Sequence, residues 1–473
     1  MHVQPVTSLQ GRVMLSGDKS IAHRALMLGA LADGVTRIAN LPLSDDLAAT
    51  RRCLESLGVP IERNGGGALY VRGGRLKESA APLDCGGSGT TIRLIAGLLA
   101  GLPFASILTG NAQLARRPMQ RVIDPLRQMG ADVSALTWPE HSLPANGRTP
   151  VMVIRGGSLR AIDYRTPVAS AQIKSCILLA ALHAGGETVV REDAQTRDHT
   201  ERMLHAMGAH VEVFDNAHTA GSAAGEQQAS SLLRRRADDD ALGESGRGCR
   251  PSAGDWFAAV RLSPSPLSPI DITIPNDFSS AAFFIAAALL VAKSELLIES
   301  VNLNPTRTGL LDIVRLMGAT VDVEDVHDAN GEPVGQLRVR FAKGLRGTTI
   351  GGALVPRAID EYPLVALLAT QAEGETLVCD AAELRVKESD RVAGVVMELR
   401  KMGAQLEERP DGFVVHGPTR LKAARVDSHG DHRLAMMLAV AGLIADGETI
   451  VDRSEAINKS FPDFEKTLKS LAH

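Results

Sequence analysis

Charged and hydroxyl side chains stand at the start of apolar segments of this sequence, where they could bind an anion. The stretch GDKSIAHRAL, residues 17–26, places Asp18, Lys19, Ser20 and Arg24 at the beginning of an apolar helix. The exposed N–H groups and the dipole at a helix N-terminus favour negatively charged ligands. A solvated, capped helix start is the alternative explanation of such a cluster.

The recurrence of cations at these helix starts favours ligand binding over capping. Similar polar clusters precede other apolar segments, namely CGGSGTT, PVASAQ, PNDFSS, PRAIDE and HGDHR. The second helices of the repeats described below open with SDD, ARRP, TRDH, NPTR, VKESDR and NKSFPD. Capping explains their Ser, Thr, Asn and Asp residues, and it is our interpretation of PNDFSS and NPTR. Lysine and arginine oppose the helix dipole, so they cost stability there unless an anion is bound. Such cations occur at Lys19, Arg24, Arg93, Arg117, Arg391, Arg433 and Lys459.

Other chemistries lack their sequence signatures. The segment GGSGTT does not complete the GxxxxGK[ST] phosphate loop, and no GxSxG motif predicts a serine hydrolase. His429 and His432 in HGDH have no third metal ligand or HExxH context. A net charge of −4 provides no basic field for nucleic acid or an anionic membrane. We therefore expect small anionic substrates and no metal, nucleic-acid or membrane partner.

The sequence also predicts a cytoplasmic location. Residues 1–16 show no basic start followed by a long apolar run. Apolar segments such as residues 281–292 are shorter than the roughly 20 residues that span a bilayer. The five cysteines are scattered and form no CxxC pair, so no disulfide framework is expected.

Internal repeats divide the chain into two sets of three. An apolar helix, a glycine or polar turn and a short strand recur six times, as in ALADGVTRI and LHAGGETVV. A second helix that ends in a glycine stop before another strand recurs five times. The sixth such helix, SFPDFEKTLKSLAH, has no strand after it, and we expect the N-terminal strand GRVMLSG to complete it. The alternation predicts an α/β (α+β) protein of two lobes with buried parallel helices.

The repeats also set the expected domain boundaries. We predict a first lobe over residues 18–268 and a second lobe formed by residues 1–17 together with 269–473. The interval between the third and fourth glycine stops is about 30 residues too long and is rich in small, charged and turn residues. We expect a mobile insertion at about 215–255. The glycine stops are Gly58, Gly130, Gly208, Gly318 and Gly403.

Nine segments of the sequence resemble one enzyme family. In order between residues 17 and 464, they are GDKSIAHRAL, GGSGTTIRL, ARRPM, SAQIKS, RDHTE, RAIDEYP, RVKESDR, GDHRLAM and NKSFPDF. Together they are similar to the 5-enolpyruvylshikimate-3-phosphate synthases, and SAQIKS and RDHTE resemble the bacterial class II branch. The resemblance implies an enolpyruvyl transferase fold of six βαβαββ-type repeats, three per lobe, with the active site in the cleft.

The activity that this resemblance implies belongs to the shikimate pathway of aromatic amino-acid biosynthesis. The carboxyvinyl group of phosphoenolpyruvate is transferred to the 5-hydroxyl of shikimate 3-phosphate by addition and elimination, and phosphate is released. The resemblance implies no metal or organic cofactor. It leads us to expect a monomer that closes when substrate binds.

The resemblance also implies the roles of individual residues. Phosphoenolpyruvate would be bound by Lys19, Gly89, Arg117, Gln172, Arg391, Arg433 and Lys459. Shikimate 3-phosphate would be bound by Lys19, Ser20, Arg24, Ser170, Ala171, Gln172, Arg197, Asp360 and Lys387. Asp360 is the candidate for the proton of the 5-hydroxyl and Glu388 for the proton at carbon, with Lys19 assisting. Considered alone, Asp360 could be a helix cap, and Glu388 could form a salt bridge with Arg391.

Two other functions remain as alternatives. UDP-N-acetylglucosamine enolpyruvyl transferases share the repeats, but they resemble GAKNAALP near the start and carry a cysteine near ARRP, which residues 113–119 here lack. A non-catalytic anion-binding protein would have lost its acids, whereas Asp360 and Glu388 are present. Gly87 departs from the asparagine of many family members. Gly89 leaves room for glyphosate, so we expect this inhibitor to act.

Overall fold

The computed structural model describes residues 1–136, 149–214 and 257–473, so the insertion expected at about 215–255 lies outside the described residues. The strands, in chain order, are β1 (His2–Val3), β2 (Gln10–Val13), β3 (Val35–Ala39), β4 (Ile61–Arg63), β5 (Leu69–Arg72), β6 (Leu83–Asp84), β7 (Ala105–Gly110), β8 (Asp132–Ala135), β9 (Thr149–Arg155), β10 (Leu159–Arg160), β11 (Asp163–Arg165), β12 (Ala184–Gly185), β13 (Thr188–Glu192), β14 (His210–Phe214), β15 (Ala258–Ser263), β16 (Asp271–Thr273), β17 (Glu295–Asn302), β18 (Val321–Ala329), β19 (Glu332–Arg340), β20 (Thr349–Ile350), β21 (Gly374–Val378), β22 (Gln405–Arg409), β23 (Gly412–Gly417), β24 (Arg425–Asp427) and β25 (Thr449–Asp452). The helices are α1 (Lys19–Leu31), α2 (Asp45–Ser56), α3 (Gly89–Ala100), α4 (Ala112–Ala115), α5 (Gln120–Met129), α6 (Ala171–Ala181), α7 (His199–Ala206), α8 (Phe278–Leu290), α9 (Gly309–Leu316), α10 (Leu354–Ala358), α11 (Tyr362–Ala369), α12 (Arg391–Lys401), α13 (His432–Leu443) and α14 (Phe464–Leu471).

One compact unit, called the central unit below, consists of residues 20–40 and 46–274. Its four-stranded sheets have the orders β16–β3–β5–β4, β6–β7–β9–β8 and β11–β13–β15–β14. In each sheet the first pair of strands is parallel and the other pairs are antiparallel. Helices α1, α3 and α6 are buried over almost their whole length, because their side chains are apolar on nearly every face.

A glycine brings two of these buried helices close together. A Cβ atom placed on Gly97 of α3 would lie 2.1 Å from the carbonyl oxygen of Cys176 on α6. Only a residue without a side chain permits this approach of the two backbones. The close packing fixes α6 against α3, and both helices begin at predicted site residues.

The other compact unit, called the terminal unit below, consists of residues 1–19, 41–45 and 275–473. Its sheets have the orders β18–β19–β17–β2, β20–β21–β23–β22 and β1–β25–β24. The buried helices α8, α11 and α13 contact one another and carry much of its hydrophobic core. Phe284 of α8 packs against Phe461 and Phe464, with ring centroids 6.1 and 5.8 Å away, so α14 is attached to this core.

The predicted mixed α/β fold and the glycine stops are confirmed. Each of the five stop glycines has a left-handed backbone, with φ between +83° and +105°. This conformation ends a helix at low cost only when the residue has no Cβ atom. The five are Gly58, Gly130, Gly208, Gly318 and Gly403.

The prediction that GRVMLSG completes the sixth repeat is wrong. The residues of β2 pair in parallel with β17, in the sheet of the fourth repeat, whereas β1 pairs antiparallel with β25 in the sixth. Reciprocally, β16 pairs with β3 although it precedes α8, so residues 269–274 belong to the central unit and not to the second lobe as expected. Both strands cover an edge whose N–H and C=O groups would otherwise lack partners in the sheet.

Candidate active site

Arg391, the first residue of α12, is the centre of a buried charge cluster in the terminal unit. Its Nε donates to Asp431 Oδ2 at 2.8 Å and its Nη2 donates to Glu388 Oε2 at 2.6 Å. Its Nη1 donates to Asp360 Oδ1 at 3.1 Å, and the side chain is only 1% exposed. Burial alone would lower the pKa of Arg391, but Asp431, Glu388 and Asp360 raise it overall. The guanidinium is therefore charged and held by three carboxylates.

Asp360 joins this cluster to the start of α13. Its second oxygen lies 3.2 Å from Nη2 of Arg433, so one carboxylate contacts two arginines. Asp431 caps α13 and accepts a hydrogen bond from the backbone N–H of Arg433 at 2.9 Å. Lys459 donates to the carbonyl of Gly430 at 2.7 Å, one residue before this cap. The structure thus brings together site residues that the sequence placed in four separate motifs.

His432 lies in the same cluster as a neutral imidazole. Burial lowers its pKa to about 3, and the positive charges of Lys19 and Arg433 act in the same direction, while Asp431 opposes them. Lys19, the first residue of α1, therefore exerts its charge on the start of α13. Lys387 is part-buried, with its Nζ 3.7 Å from Glu383 Oε1. These cations can bind an anion, and the adjacent carboxylates can exchange protons with it.

A second set of predicted residues surrounds the start of α3 in the central unit. Ser88 caps this helix by accepting a hydrogen bond from the N–H of Thr91 at 3.1 Å. A Cβ atom on Gly89 would lie 2.4 Å from Nη1 of Arg117 and 3.3 Å from Nη1 of Arg93. Gly89 thus contacts the Arg117 guanidinium, and any larger residue at this position would require the guanidinium to shift.

Gln172 connects this helix start to α6. Its Oε1 accepts a hydrogen bond from Nη1 of Arg93, and its Nε2 donates to Thr90 Oγ1 at 3.0 Å. Arg93 also donates to the carbonyl of Pro118 at 3.2 Å, next to Arg117. The sequence identified Arg93 as an unexplained cation but assigned it no role. The structure places it between Gln172 and the ARRP segment.

Arg24 is bound by groups of three helices in the central unit. Its Nε donates to Thr200 Oγ1 at 2.6 Å and its Nη2 donates to Ser175 Oγ at 2.7 Å. Its Nη1 donates to the carbonyl of Ser20 at 2.9 Å, and the residue is only 4% exposed. The predicted ligand Arg24 therefore also holds α1, α6 and α7 together.

The remaining predicted residues lie at the starts of α6 and α7. Ser170 is the N-cap residue of α6, but its side chain makes no capping hydrogen bond. Ala171 follows as the first residue of α6, and Arg197 precedes α7 by two residues. All three are partly exposed.

A buried ion triad that the sequence pattern does not reveal lies just behind the start of α6. Nζ of Lys174 lies 2.7 Å from Glu192 Oε2 and 2.7 Å from Glu201 Oε1, and all three side chains are at most 3% exposed. Burial alone would lower the pKa of Lys174, but the two glutamates raise it overall. The one available signal was a lysine inside the apolar segment AQIKSCILLAA. Its partners lie on β13 and α7, which the sequence pattern could not bring together.

The departure at Gly87 has a visible consequence for packing. A Cβ atom at this position would lie 2.9 Å from Nδ2 of Asn111. Asn111 caps α4 by accepting a hydrogen bond from the N–H of Leu114 at 2.9 Å. The Asn111 side chain thus fills the space beside Gly87.

Within residues 1–136, 149–214 and 257–473, His, Cys, Asp and Glu side chains form no group of three or more that could hold a metal ion. The helices of the same ranges include no candidate for a membrane-spanning segment.

Comparison with solved structures identifies the fold. An EPSP synthase from Acinetobacter baumannii superimposes with a TM-score of 0.78 at 34% identity, covering 100% of this chain and 98% of its own. The enolpyruvyl transferase NikO from Streptomyces tendae superimposes with a TM-score of 0.71 at 18% identity, covering 99% of this chain and 96% of its own. At that lower identity, the second likeness shows the fold alone.

Comparison of sequences identifies the family. A 3-phosphoshikimate 1-carboxyvinyltransferase from Desulforudis audaxviator (strain MP104C) is 45% identical, covering 100% of this chain and 99% of its own. The enzyme of the same name from Bacillus thuringiensis (strain Al Hakam) is 43% identical, covering 99% of this chain and 98% of its own. The family model for EPSP synthase (3-phosphoshikimate 1-carboxyvinyltransferase) matches residues 3–232 and 259–468. The chain therefore belongs to the EPSP synthase family.

Proposed function

We propose that this chain transfers the carboxyvinyl group of phosphoenolpyruvate to the 5-hydroxyl of shikimate 3-phosphate and releases phosphate. Family membership makes it a transferase of aromatic amino-acid biosynthesis by the shikimate pathway. The observation that carries the proposal is the contact of Asp360 and Glu388 with one buried guanidinium, that of Arg391. This arrangement supplies two acids beside a fixed cation. The alternative UDP-N-acetylglucosamine reaction is not favoured, because the relatives at 43–45% identity carry the 3-phosphoshikimate name.

The assignment of phosphoenolpyruvate rests on cations that are already held in place. This substrate carries a carboxylate and a phosphate, and both need paired cations when water is excluded. Arg391 and Arg433 share the Asp360 carboxylate, and planar guanidinium groups can bind such anions through two parallel hydrogen bonds. Contact with Gly89 supports the same role for Arg117. The full proposed set is Lys19, Gly89, Arg117, Gln172, Arg391, Arg433 and Lys459.

The assignment of shikimate 3-phosphate rests on the starts of α1, α6 and α7. The Ser170 hydroxyl stands at the N-terminus of α6 without making a capping bond, and Arg197 stands just before α7. Hydroxyl groups and helix N-terminal N–H groups are suitable donors to a phosphate. The full proposed set is Lys19, Ser20, Arg24, Ser170, Ala171, Gln172, Arg197, Asp360 and Lys387.

Two carboxylates have distinct roles in the proposed chemistry. In the addition step, the 5-hydroxyl oxygen bonds to the enol carbon and transfers its proton to Asp360, while Glu388 in its protonated form delivers a proton to the methylene carbon. In the elimination step, that carbon returns a proton to Glu388, the double bond re-forms, and phosphate leaves with the electrons of its C–O bond and takes up the proton held by Asp360. Lys19 assists by stabilising negative charge. These roles are supported by Arg391, which orients both acids: its Nη1 lies 3.1 Å from Asp360 Oδ1 and its Nη2 lies 2.6 Å from Glu388 Oε2.

The variant Glu388→Gln tests these roles. We expect it to bind shikimate 3-phosphate with wild-type affinity in calorimetry, while turnover falls by about 10² or more, the usual worth of a proton-transfer group. The matched control Glu375→Gln changes an acid that is 59% exposed and pairs only weakly with His416. Its turnover should equal that of the wild type. Equal turnover of both variants would contradict the assignment of Glu388.

Oligomeric state and location stay predictions. We expect a monomer in the cytoplasm. Light scattering coupled to size-exclusion chromatography tests the first, and a mass well above 50.1 kDa would contradict it.

A further inference from the structure

Arg307 is a buried cation of the terminal unit that the proposed chemistry does not use. It lies in the NPTR turn just before α9 and is 1% exposed. Its Nη1 lies 3.3 Å from Asp18 Oδ2, and its Nη2 lies 3.3 Å from Asp277 Oδ1. The same Nη2 donates to Ser279 Oγ at 2.8 Å. Its guanidinium thus contacts two acids and one hydroxyl.

The two acids hold the backbone at Lys19. Asp277 caps α8 by accepting hydrogen bonds from the N–H groups of Ser279 and Ser280 at 2.7 and 3.2 Å. Its other oxygen accepts from the N–H of Lys19 at 3.2 Å. Asp18 directly precedes Lys19, and its own N–H donates to Pro275 O at 2.7 Å. Arg307 therefore contacts both the residue before Lys19 and the residue that binds the Lys19 backbone.

The Ser279 hydroxyl extends the network toward Arg433. It accepts from Arg307 and donates to Glu361 Oε1 at 2.5 Å. Glu361 is 1% exposed, and its Oε1 lies 3.8 Å from Nη1 of Arg433. A continuous set of contacts thus runs from Arg307 through one hydroxyl and one carboxylate to a second proposed ligand of phosphoenolpyruvate.

Helix capping explains some of the polar residues in the PNDFSS and NPTR motifs, but it does not explain Arg307. Asp277 caps α8, as the capping interpretation of PNDFSS predicts. The capping interpretation of NPTR is wrong: Asn304 accepts from the N–H of Thr306 at 2.9 Å within the turn, and Thr308, the N-cap residue of α9, makes no side-chain capping bond. A buried arginine is needed for neither of these local bonds. Burial of Asp18, Asp277 and Glu361 instead requires a compensating charge, because an unpaired buried carboxylate is strongly unfavourable.

We propose that Arg307 is a positioning residue that fixes Lys19 and Arg433 for phosphoenolpyruvate. The inference rests on the function proposed above. Arginine suits this place because its fork of donors contacts Asp18, Asp277 and Ser279 at once, whereas a lysine ammonium is a single point charge. Misplacing a catalytic or binding group by about 1 Å can cost on the order of 10² in rate, so a remote contact can matter.

The test compares variants of Arg307 and Ser279 with a matched arginine variant. We expect Arg307→Met to lose on the order of 10² in kcat/KM for phosphoenolpyruvate and Arg307→Lys to lose about tenfold. Ser279→Ala removes the hydroxyl that joins Arg307 to Glu361 and keeps the contacts of Arg307 with Asp18 and Asp277, so it should lose about threefold to tenfold. The control Arg357→Met breaks an ion pair with Asp312 and a bond to Pro305 O, at 2.6 and 2.8 Å, in the same unit. It should stay within about twofold of the wild type.

A pH profile separates positioning from a general loss of stability. The groups that face Asp277 are Arg307, Arg433 and the N–H groups of Lys19, Ser279 and Ser280. Burial raises the pKa of Asp277, but Arg307 and Arg433 lower it overall. Without Arg307 this pKa rises, so the acid limb of kcat/KM for phosphoenolpyruvate should move to higher pH in Arg307→Met. A structural role alone would lower the melting temperature and leave the limb in place.

The outcomes distinguish this inference from the proposed function. If the wild type releases no phosphate from the two substrates, the proposed function itself has failed. If the wild type is active and Arg307→Met stays within about threefold of it at unchanged pH dependence, the inference is overturned. If circular dichroism shows that Arg307→Met does not fold, the kinetics of Arg307→Lys and Ser279→Ala test the inference instead. An unchanged KM and kcat for phosphoenolpyruvate in both would equally overturn it.

Discussion

Replacing Lys174 with methionine should destabilise the central unit more than removing an exposed charge of the same unit, such as that of Arg191. The ammonium is shared by Glu192 and Glu201 at 2.7 Å each, and the three side chains are at most 3% exposed. Methionine fills the space of the lysine stem, so little packing is lost. Removing one partner of a buried ion pair typically costs about 3–5 kcal/mol, because the remaining charge stays buried without compensation. Here two carboxylates would remain.

The charge balance of the triad makes the prediction specific. Two carboxylates face one ammonium, so Glu201→Gln removes the excess negative charge and keeps an acceptor for Lys174. Burial raises the pKa of Glu201, Lys174 lowers it, and Asp198 raises it further, with a net increase. We therefore expect Glu201→Gln to cost less than about 1 kcal/mol near neutral pH. Similar costs for Glu201→Gln and Lys174→Met would refute this account of the triad.

The same pKa shift fixes the sign of the pH dependence. The folded protein binds the Glu201 proton more tightly than the unfolded chain does, so this group favours folding when protonated. The stabilisation that Glu201 contributes is lost as the pH rises from the ordinary pKa of a glutamate, near 4.5, through the raised pKa of Glu201. Lys174 lowers the pKa of Glu201, so without Lys174 this carboxyl protonates more readily on folding. The cost of Lys174→Met should therefore shrink as the pH falls.

Urea denaturation followed by circular dichroism measures these effects. Midpoints should be compared at equal slope, at about pH 6 and about pH 8, so that a change in midpoint reports stability. The control Arg191→Met breaks an exposed pair with Asp163, whose side chains are 27% and 55% exposed, and should cost less than about 1 kcal/mol. A Lys174→Met cost no larger than this control would contradict the reasoning.

Three other predictions concern the proposed binding of phosphoenolpyruvate and of the inhibitor glyphosate. Arg391→Lys keeps the charge but cannot contact Asp360, Glu388 and Asp431 together, so its kcat/KM for phosphoenolpyruvate should fall by about tenfold or more in a phosphate-release assay. Gly89→Ala places a methyl group 2.4 Å from Nη1 of Arg117, so the guanidinium must move and KM for phosphoenolpyruvate should rise. An unchanged KM would contradict this prediction. Glyphosate at millimolar concentration should inhibit the wild type, and an unchanged rate would refute this expectation.

Local signals in the sequence predicted the repeats well because they depend on neighbouring residues only. A glycine after an apolar helix needs no partner elsewhere to adopt a left-handed backbone, and all five predicted stops do so. Strand pairing at sheet edges is not local. Nothing in GRVMLSG distinguishes the edge of β17 from that of β25, and the two sites lie about 285 and 440 residues away.

The candidate site shows the same difference between local motifs, which the sequence reveals, and long-range contacts, which it does not. Motif residues such as Asp360, Glu388 and Arg391 were identified by their resemblance to a family, and the structure brings these three into one cluster. Two buried cations near the predicted site residues have no role that the sequence alone predicts. Lys174 and Arg307 have acids from distant elements as partners, and such pairs become visible only when the fold has brought them together.

Phosphate release by the purified protein tests the central claim most directly. The assay supplies phosphoenolpyruvate and shikimate 3-phosphate together, and then omits each in turn. We predict that release requires both substrates and that NMR shows a new enol ether at the 5-oxygen. Release from phosphoenolpyruvate alone, or none despite binding of shikimate 3-phosphate, would contradict the account.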